Sequence, residues 1–356
     1  MRRIAIAISA GIILALLIVA YAAYQVRQPI NLSGTELVYE VKPGASLNRV
    51  TADLVERDIV RMSALLFRVY GLVTRGQGSL KAGEFLLDES LTGRQVLQHF
   101  RQGRVIQHQV TFPEGWRFKD WRVHLAAQTR IRASIQARSD AEIMALLGVA
   151  GQHVEGQFFP DTYQYSKGEA DISILRRAHR RMTQALHRAW QNRADDTLKS
   201  AHDALILASI IEKETGFGPE RGKISSVFIN RLRQGMRLQT DPTVIYGLTA
   251  FDGDLTREHL RQVTPYNTYR NKGLPPTPIC NPGLASIEAA LNPESTTFLY
   301  FVAQGDGKSY FSTNLAEHNA AVDRFQSRAR REGYRSTPAS TPASTPASKP
   351  ASEENE

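Results

Sequence analysis

The chain has 356 residues, a formal net charge of +9 and one cysteine, Cys280. That length holds two domains or one large domain with a small one attached, and a lone cysteine excludes an internal disulfide or a cysteine-rich metal site. The positive excess favours an anionic partner, a lipid surface or acidic polymer; no Lys/Arg block interleaves with aromatics, so no nucleic acid is expected.

Residues 4–24 (IAIAISAGIILALLIVAYAAY) carry no charge and suffice to cross about 30 Å of hydrocarbon as a helix. Arg2 and Arg3 precede them, so residues 1–3 are expected in the cytoplasm and everything after Arg27 on the far side of the membrane. Tyr21 and Tyr24 suit the exit interface. A cleaved signal peptide is the rival reading, but this apolar core exceeds the usual ~7–15 residues and lacks an obvious cleavage signal.

Residues 32–104 read as a small α/β subdomain. Alternation through Leu37 to Val41 predicts a strand, Pro43-Gly44 a turn, and Ser46 the cap of a helix with Leu47, Val50 and Leu54 on one face. A second apolar helix surrounds Leu65, Leu66 and Val69, a strand follows Gly83, and residues 90–100 return to helix. Val41, Pro43, Gly44, Ser46 and the helix after them resemble LysM-like modules, which bind N-acetylated glycans; a structural spacer is the competing reading.

Residues 105–116 predict a strand with Val110 and Phe112, then a Pro113-Glu114-Gly115 turn. Trp116 beside it serves either a core or a sugar-stacking platform. Residues 120–147 suggest more than one short helix. Residues 151–165 (GQHVEGQFFPDTYQY) combine loop formers with four aromatics and with Glu155 and Asp161, as expected of a shaped loop with its own core or of a carbohydrate-cleft floor. A long helix over 172–193 presents five arginines on its more exposed positions.

The run 203–247 is the chemical centre of the chain. Ala204 to Ile211 are almost wholly apolar, predicting a buried helix, and Glu212 and Glu214 stand where it ends. At roughly 100° per residue, Glu212 shares a face with Leu205, Ala208 and Ser209, whereas Glu214 points away with Leu207 and Ile210. The two cannot line one cleft as a facing pair. A carboxyl held against an apolar face has its pKa raised by burial, as a general acid requires; solvated glutamates at a helix end are the alternative. A second helix is predicted over 219–235, and Gln239-Thr240-Asp241-Pro242-Thr243 with Tyr246-Gly247 reads as a dense polar loop.

Pro-restricted loops follow at 265–269 (PYNTY) and 273–279 (GLPPTPI), then a helix over 284–291 and a strand over 298–302. Asn314 or Thr313 caps a short helix bearing Glu317 and His318, the latter either a substrate contact or a structural histidine. Residues 335–356, rich in Ser, Thr, Pro and Ala, lack apolar surface to bury and are expected to be disordered. HExxH, P-loop and GxSxG motifs are missing and the nine histidines are scattered, so neither metal nor cofactor is expected.

These segments resemble the MltG, or YceG-like, family of endolytic murein transglycosylases over nearly the whole chain. The resemblance is carried by 207–215 (LASIIEKET), 226–231 (SVFINR), 238–247 (LQTDPTVIYG), 266–269 (YNTY), 273–276 (GLPP) and 313–319 (TNLAEHN). Residues 155–163 (EGQFFPDTY) are similar to a family loop, with one additional residue between Gly156 and Phe159-Pro160. It implies an α+β protein: transmembrane helix 4–24, LysM-like subdomain 32–104 and YceG-like catalytic domain 105–334.

It also implies cleavage of the β-1,4 bond between N-acetylmuramic acid and N-acetylglucosamine in nascent peptidoglycan strands, leaving a 1,6-anhydromuramic acid end. The family's catalytic glutamate maps onto Glu212, which would act first as acid and then as base. Gln239, Thr240, Asp241, Tyr246, Tyr266, Asn267, Glu155 and Tyr163 are candidate substrate contacts; Glu214, Asn314 and His318 are candidate supports. The expected setting is the bacterial inner membrane, N-terminus cytoplasmic and catalytic domain periplasmic, with glycan strands and a cell-wall synthase or elongation/division complex as partners. A hydrolytic muramidase and a non-catalytic glycan-binding scaffold are the competing functions.

Overall fold

The computed structural model describes residues 2–74, 79–214 and 216–327. The Ser/Thr/Pro/Ala-rich stretch 335–356 therefore lies outside the described residues. The chain divides into two units. One comprises residues 1–113, 119–153 and 161–178, and the other 114–118, 154–160 and 179–356.

The first unit begins with helix α1 (Arg2–Gln25), whose Ile8–Gln25 portion is long and apolar enough to cross a membrane. Strand β1 (Glu36–Val41), helices α2 (Leu47–Glu56) and α3 (Ala64–Val73), strand β2 (Gly83–Asp88) and helix α4 (Gly93–Gln102) follow. β1 and β2 are antiparallel, with Tyr39 opposite Phe85. Alternation puts Tyr39, Val41, Phe85 and Leu87 on the inner face against Leu54, Phe67, Leu97 and Phe100, each apolar side chain contributing roughly 1.5–3 kcal/mol when fully buried. Ser46 caps α2 by accepting from the Arg49 N–H at 3.2 Å, and Thr92 forms a capping box with Gln95 at the start of α4.

A second antiparallel ribbon pairs β3 (His108–Thr111) with β4 (Thr162–Tyr165). Phe112 leaves it to stack on Trp121 of α5 (Phe118–Ala126), ring centroids 3.7 Å apart. Helix α6 (Asp140–Leu146) follows; the long helix α7 (Asp171–Gln191) begins after β4.

The second unit is built around α8 (Ala201–Glu214). Its residues 204–211 are all buried and pack with α9 (Arg221–Arg233) and α12 (Leu284–Leu291) through Phe228, Ile229, Ile287 and Leu291. A 3-10 turn at Gly218–Glu220 enters α9. The stretch expected as a polar loop is instead partly helical: α10 runs Asp241–Gly247. Pro242 stands in its first turn, where its missing N–H costs nothing, and Asp241 complements the helix N-terminus. The short α11 (Arg257–Arg261) precedes the proline loops. Strands β5 (Tyr300–Ala303) and β6 (Ser309–Ser312) form a third ribbon before α13 (Leu315–Val322). Among the described residues every sheet is two-stranded and antiparallel, so the protein is mixed α+β.

Candidate active site

Glu212 occupies the last turn of α8, and its side chain is only 7% exposed. Its Oε2 accepts the Gly283 backbone N–H at 3.0 Å, at the start of α12, while Oε1 lies 3.7 Å from Arg221 Nη2 on α9. Three helix ends thus converge on one carboxylate.

A second carboxylate meets the same guanidinium. Glu114 Oε2 is 4.0 Å from Arg221 Nη2, and the side chain is 49% exposed. Burial, and then the charge of Glu212, push the Glu114 carboxyl above its ordinary range, with Arg221 opposing. The 113–115 turn is held here by the Gly115 N–H donating to Asn281 O at 2.9 Å. Gly283 lets Glu114 come close: a Cβ there would sit 1.8 Å from Glu114 Oε1, and the Glu114 side chain would have to swing aside to admit it. Composition and helical phase singled out the Glu212/Glu214 pair and passed over Glu114; a carboxylate on a Pro-Glu-Gly turn was the only local signal.

Glu214 faces away, as helical phase requires. The Thr240 hydroxyl donates to it, and burial pushes its carboxyl up to about 7, the nearby Asp241 charge adding and Thr240 and Arg231 opposing. Asp241 in turn accepts the Tyr269 hydroxyl at 2.7 Å. Arg231, buried, donates to Leu299 O at 2.7 Å and Leu238 O at 2.6 Å and lies over the Tyr300 ring. This interior network joins α8, α9 and α10.

Glu155 is buried, accepting the Phe118 N–H at 2.9 Å and lying 3.5 Å from the Tyr246 hydroxyl. Tyr246 carries the Arg117 guanidinium over its face and meets Tyr266 edge-on, and the Tyr266 hydroxyl is 2.8 Å from that of Thr277. Gly156 has φ +80, and a Cβ would lie 2.6 Å from Pro278, so only glycine lets this loop approach the proline segment.

The remaining candidates are placed differently. Gln239 is exposed, with a positive φ of 51. Asn267 is fully buried, donating to Leu260 O and Gln262 O and accepting the Tyr269 N–H, so its amide braces its own loop. Tyr163 belongs to the other unit, opposite Val110 in the β3–β4 ribbon. Asn314 caps α13 by accepting the Glu317 N–H at 2.9 Å. His318 stacks on Tyr300 with centroids 5.1 Å apart, and burial and Arg231 hold its pKa below the ordinary range. Among the described residues no group of three or more His, Cys, Asp or Glu is arranged to hold a metal ion.

A mixed α+β protein with an apolar N-terminal helix and a helix-end glutamate opposite an arginine is the class that fold and site define. Residues 39–324 match the YceG-like family, and the chain belongs to it. It is similar to a Bacillus subtilis protein named endolytic murein transglycosylase, 30% identical over 312 residues, covering 83% of this chain and 86% of the relative. A Streptococcus pneumoniae protein of the same name is 26% identical over 317 residues; the chain spans only 57% of that relative's length. The crystal structure of a YceG-like protein from Listeria monocytogenes superposes with a TM-score of 0.52 at 31% identity, covering 81% of this chain and 99% of the other.

Proposed function

We propose that this chain is a membrane-anchored endolytic transglycosylase of peptidoglycan and that Glu212 is its acid and base. The observation that carries this reading is the seat of Glu212: a nearly buried carboxylate on a rigid apolar helix, one oxygen held by the Gly283 N–H and the other toward Arg221. The names of the B. subtilis and S. pneumoniae relatives support the substrate class.

In the proposed cycle, Glu212 gives its proton to the glycosidic oxygen as the bond from C1 of N-acetylmuramic acid to O4 of N-acetylglucosamine breaks. The C6 hydroxyl of the same muramic acid attacks C1, forming the 1,6-anhydro ring, and its proton passes to the Glu212 carboxylate. Atoms balance without added water, and the enzyme returns to its starting state. One carboxyl suffices, in contrast to the pair an ordinary glycosidase uses. Arg221, fixed by α9, limits how far the Glu212 side chain can turn. Tyr246, Tyr266, Gln239, Thr240, Asp241 and Glu155 are assigned to the sugar-binding wall or its support, and Glu214, Asn314 and His318 to its scaffolding.

Glu114 favours a second reading, hydrolysis. A carboxylate beside Glu212 and partly open to solvent has the chemistry to hold and deprotonate an attacking water. Product mass separates the two: uncrosslinked glycan strands digested in H2(18)O give anhydro ends without label under the lytic reading, and labelled reducing ends under the hydrolytic one.

Helix α1 is assigned as a single span of the inner membrane with its N-terminus cytoplasmic and the remaining body periplasmic. The β1-α2-α3-β2 path is assigned as a LysM-like module that contacts glycan, which strand pulldown with the full chain tests. A cell-wall synthase or elongation/division complex is the proposed protein partner.

A further inference from the structure

Helix α3 turns an apolar stripe outward. Phe67 and Gly71 are buried, whereas Leu65, Val69, Leu72 and Val73 are exposed, Leu65 by 65% and Val73 by 80%. The spacing 65, 69, 72, 73 is one helical face. At ten residues, about 15 Å long, α3 is too short to span a bilayer, and an apolar helix of this length suits an interfacial position.

The position of α3 says what covers this stripe. No linker separates α1 from the first unit. Val26 is buried in its core, Val26 O accepts the Arg94 N–H at 2.9 Å, the Ile30 N–H donates to Leu91 O at 2.8 Å, and the Asn31 N–H donates to Ile59 O at 2.8 Å. Helix α3 meets this same point: a Cβ built on Gly93 would lie 3.5 Å from Val26 O and 3.6 Å from the Phe67 ring. α1 and α3 themselves touch. The apolar stripe is thus tied to the end from which α1 emerges. Arg68 on α3 itself and Arg27, two residues past the end of α1, are exposed, and long cationic side chains of this kind reach lipid phosphates while apolar neighbours sink below them.

The geometry points to α3 as a second membrane contact, lying flat in the headgroup–acyl boundary of the leaflet from which α1 emerges. The occupant of the stripe is lipid. Two attachment points, one spanning and one interfacial, fix the tilt of the first unit on the membrane. A helix buried in the interface on one face only is expected to contribute through apolar area together with attraction to anionic lipid.

This inference rests on α1 being a membrane span, and the test separates the two. Full-length protein in vesicles of phosphatidylethanolamine and phosphatidylglycerol would carry a fluorophore on cysteine at Val69→Cys, Val73→Cys, Leu16→Cys within α1, or the exposed reference Lys272→Cys. The native Cys280 is fully buried and escapes labelling. Doxyl-labelled lipid is expected to quench positions 16, 69 and 73 severalfold more than position 272. Quenching at 16 but not at 69 and 73 overturns the α3 contact and leaves the anchor standing. No quenching at 16 overturns the anchor and, with it, this inference. Protection of 69 and 73 from water without doxyl quenching means that a second copy covers the stripe, and also overturns the lipid assignment.

Discussion

Glu114 and Glu212, far apart in sequence, share one guanidinium: Arg221 Nη2 lies 4.0 Å from the first and 3.7 Å from the second. Each carboxylate reaches that nitrogen from a different backbone, Glu114 from a tight turn and Glu212 from a core helix. Their roles are separable by substitution.

Glu212→Gln keeps size and an acceptor but has no acidic proton to give, so strand cleavage is expected to fall about 10²–10⁴-fold, with the melting temperature preserved. Glu114→Gln is expected to lose roughly tenfold or less, because in the lytic cycle it moves no proton, and to release the same anhydro ends. Mass spectrometry of products from defined strands checks both; reducing ends that vanish with Glu114→Gln would transfer the chemistry to a hydrolytic pair.

Two glycine substitutions should diverge. Gly283→Ala has an ordinary φ of −77, and its new methyl meets only the mobile end of Glu114, so unfolding in urea should shift by less than about 1 kcal/mol while activity drops severalfold. Gly156→Ala forces a φ of +80 on an L residue and collides with Pro278, and should cost about 1–3 kcal/mol. Equal stability losses in the two would contradict this account.

The buried Glu214 makes stability depend on pH. Its carboxyl is raised from the ordinary 4.5 to about 7 in the folded protein. Between those values the folded state holds a proton that the unfolded chain has released, so this contribution is lost as pH rises and levels off above about 7. Its full extent is on the order of 3 kcal/mol. Glu214→Gln still accepts from Thr240 without the charge, and thermal melts should therefore show a flatter pH dependence and a more stable protein than wild type at pH 8. Parallel curves for the two proteins would reject the assignment.

Arg231 bridges α9 to two backbone carbonyls, that of the buried Leu238 and that of the half-buried Leu299. Arg231→Lys retains charge but not the planar fork, leaving one of Leu238 O and Leu299 O without its donor, and should cost about 1–3 kcal/mol in denaturant unfolding. A loss confined to activity would place Arg231 in the site itself.

Periodic and compositional features were legible in advance. The long uncharged run became α1, the apolar run 204–211 became the buried body of α8, Ser46 and Asn314 cap the helices expected of them, and helical phase correctly sent Glu212 and Glu214 to opposite sides. Such features depend on neighbours within a turn or two. Helix α10 was not legible, because Pro and Asp mark both a loop and a helix start; which one forms depends on Thr240, held through its N–H by Thr268 and through its hydroxyl by Glu214.

What the sequence by itself determined is local: which segments are helical, which faces are apolar, and which glutamate ends the core helix on which side. Only the tertiary structure decided the company each charge keeps. It brought Glu114 to Glu212 through Arg221, enclosed Glu214 so that burial raised its pKa, kept Tyr163 in the other unit, and set α3 beside the exit of α1. The physical reason is that solvation and charge–charge energies depend on distance through space, and chain order carries no measure of that distance.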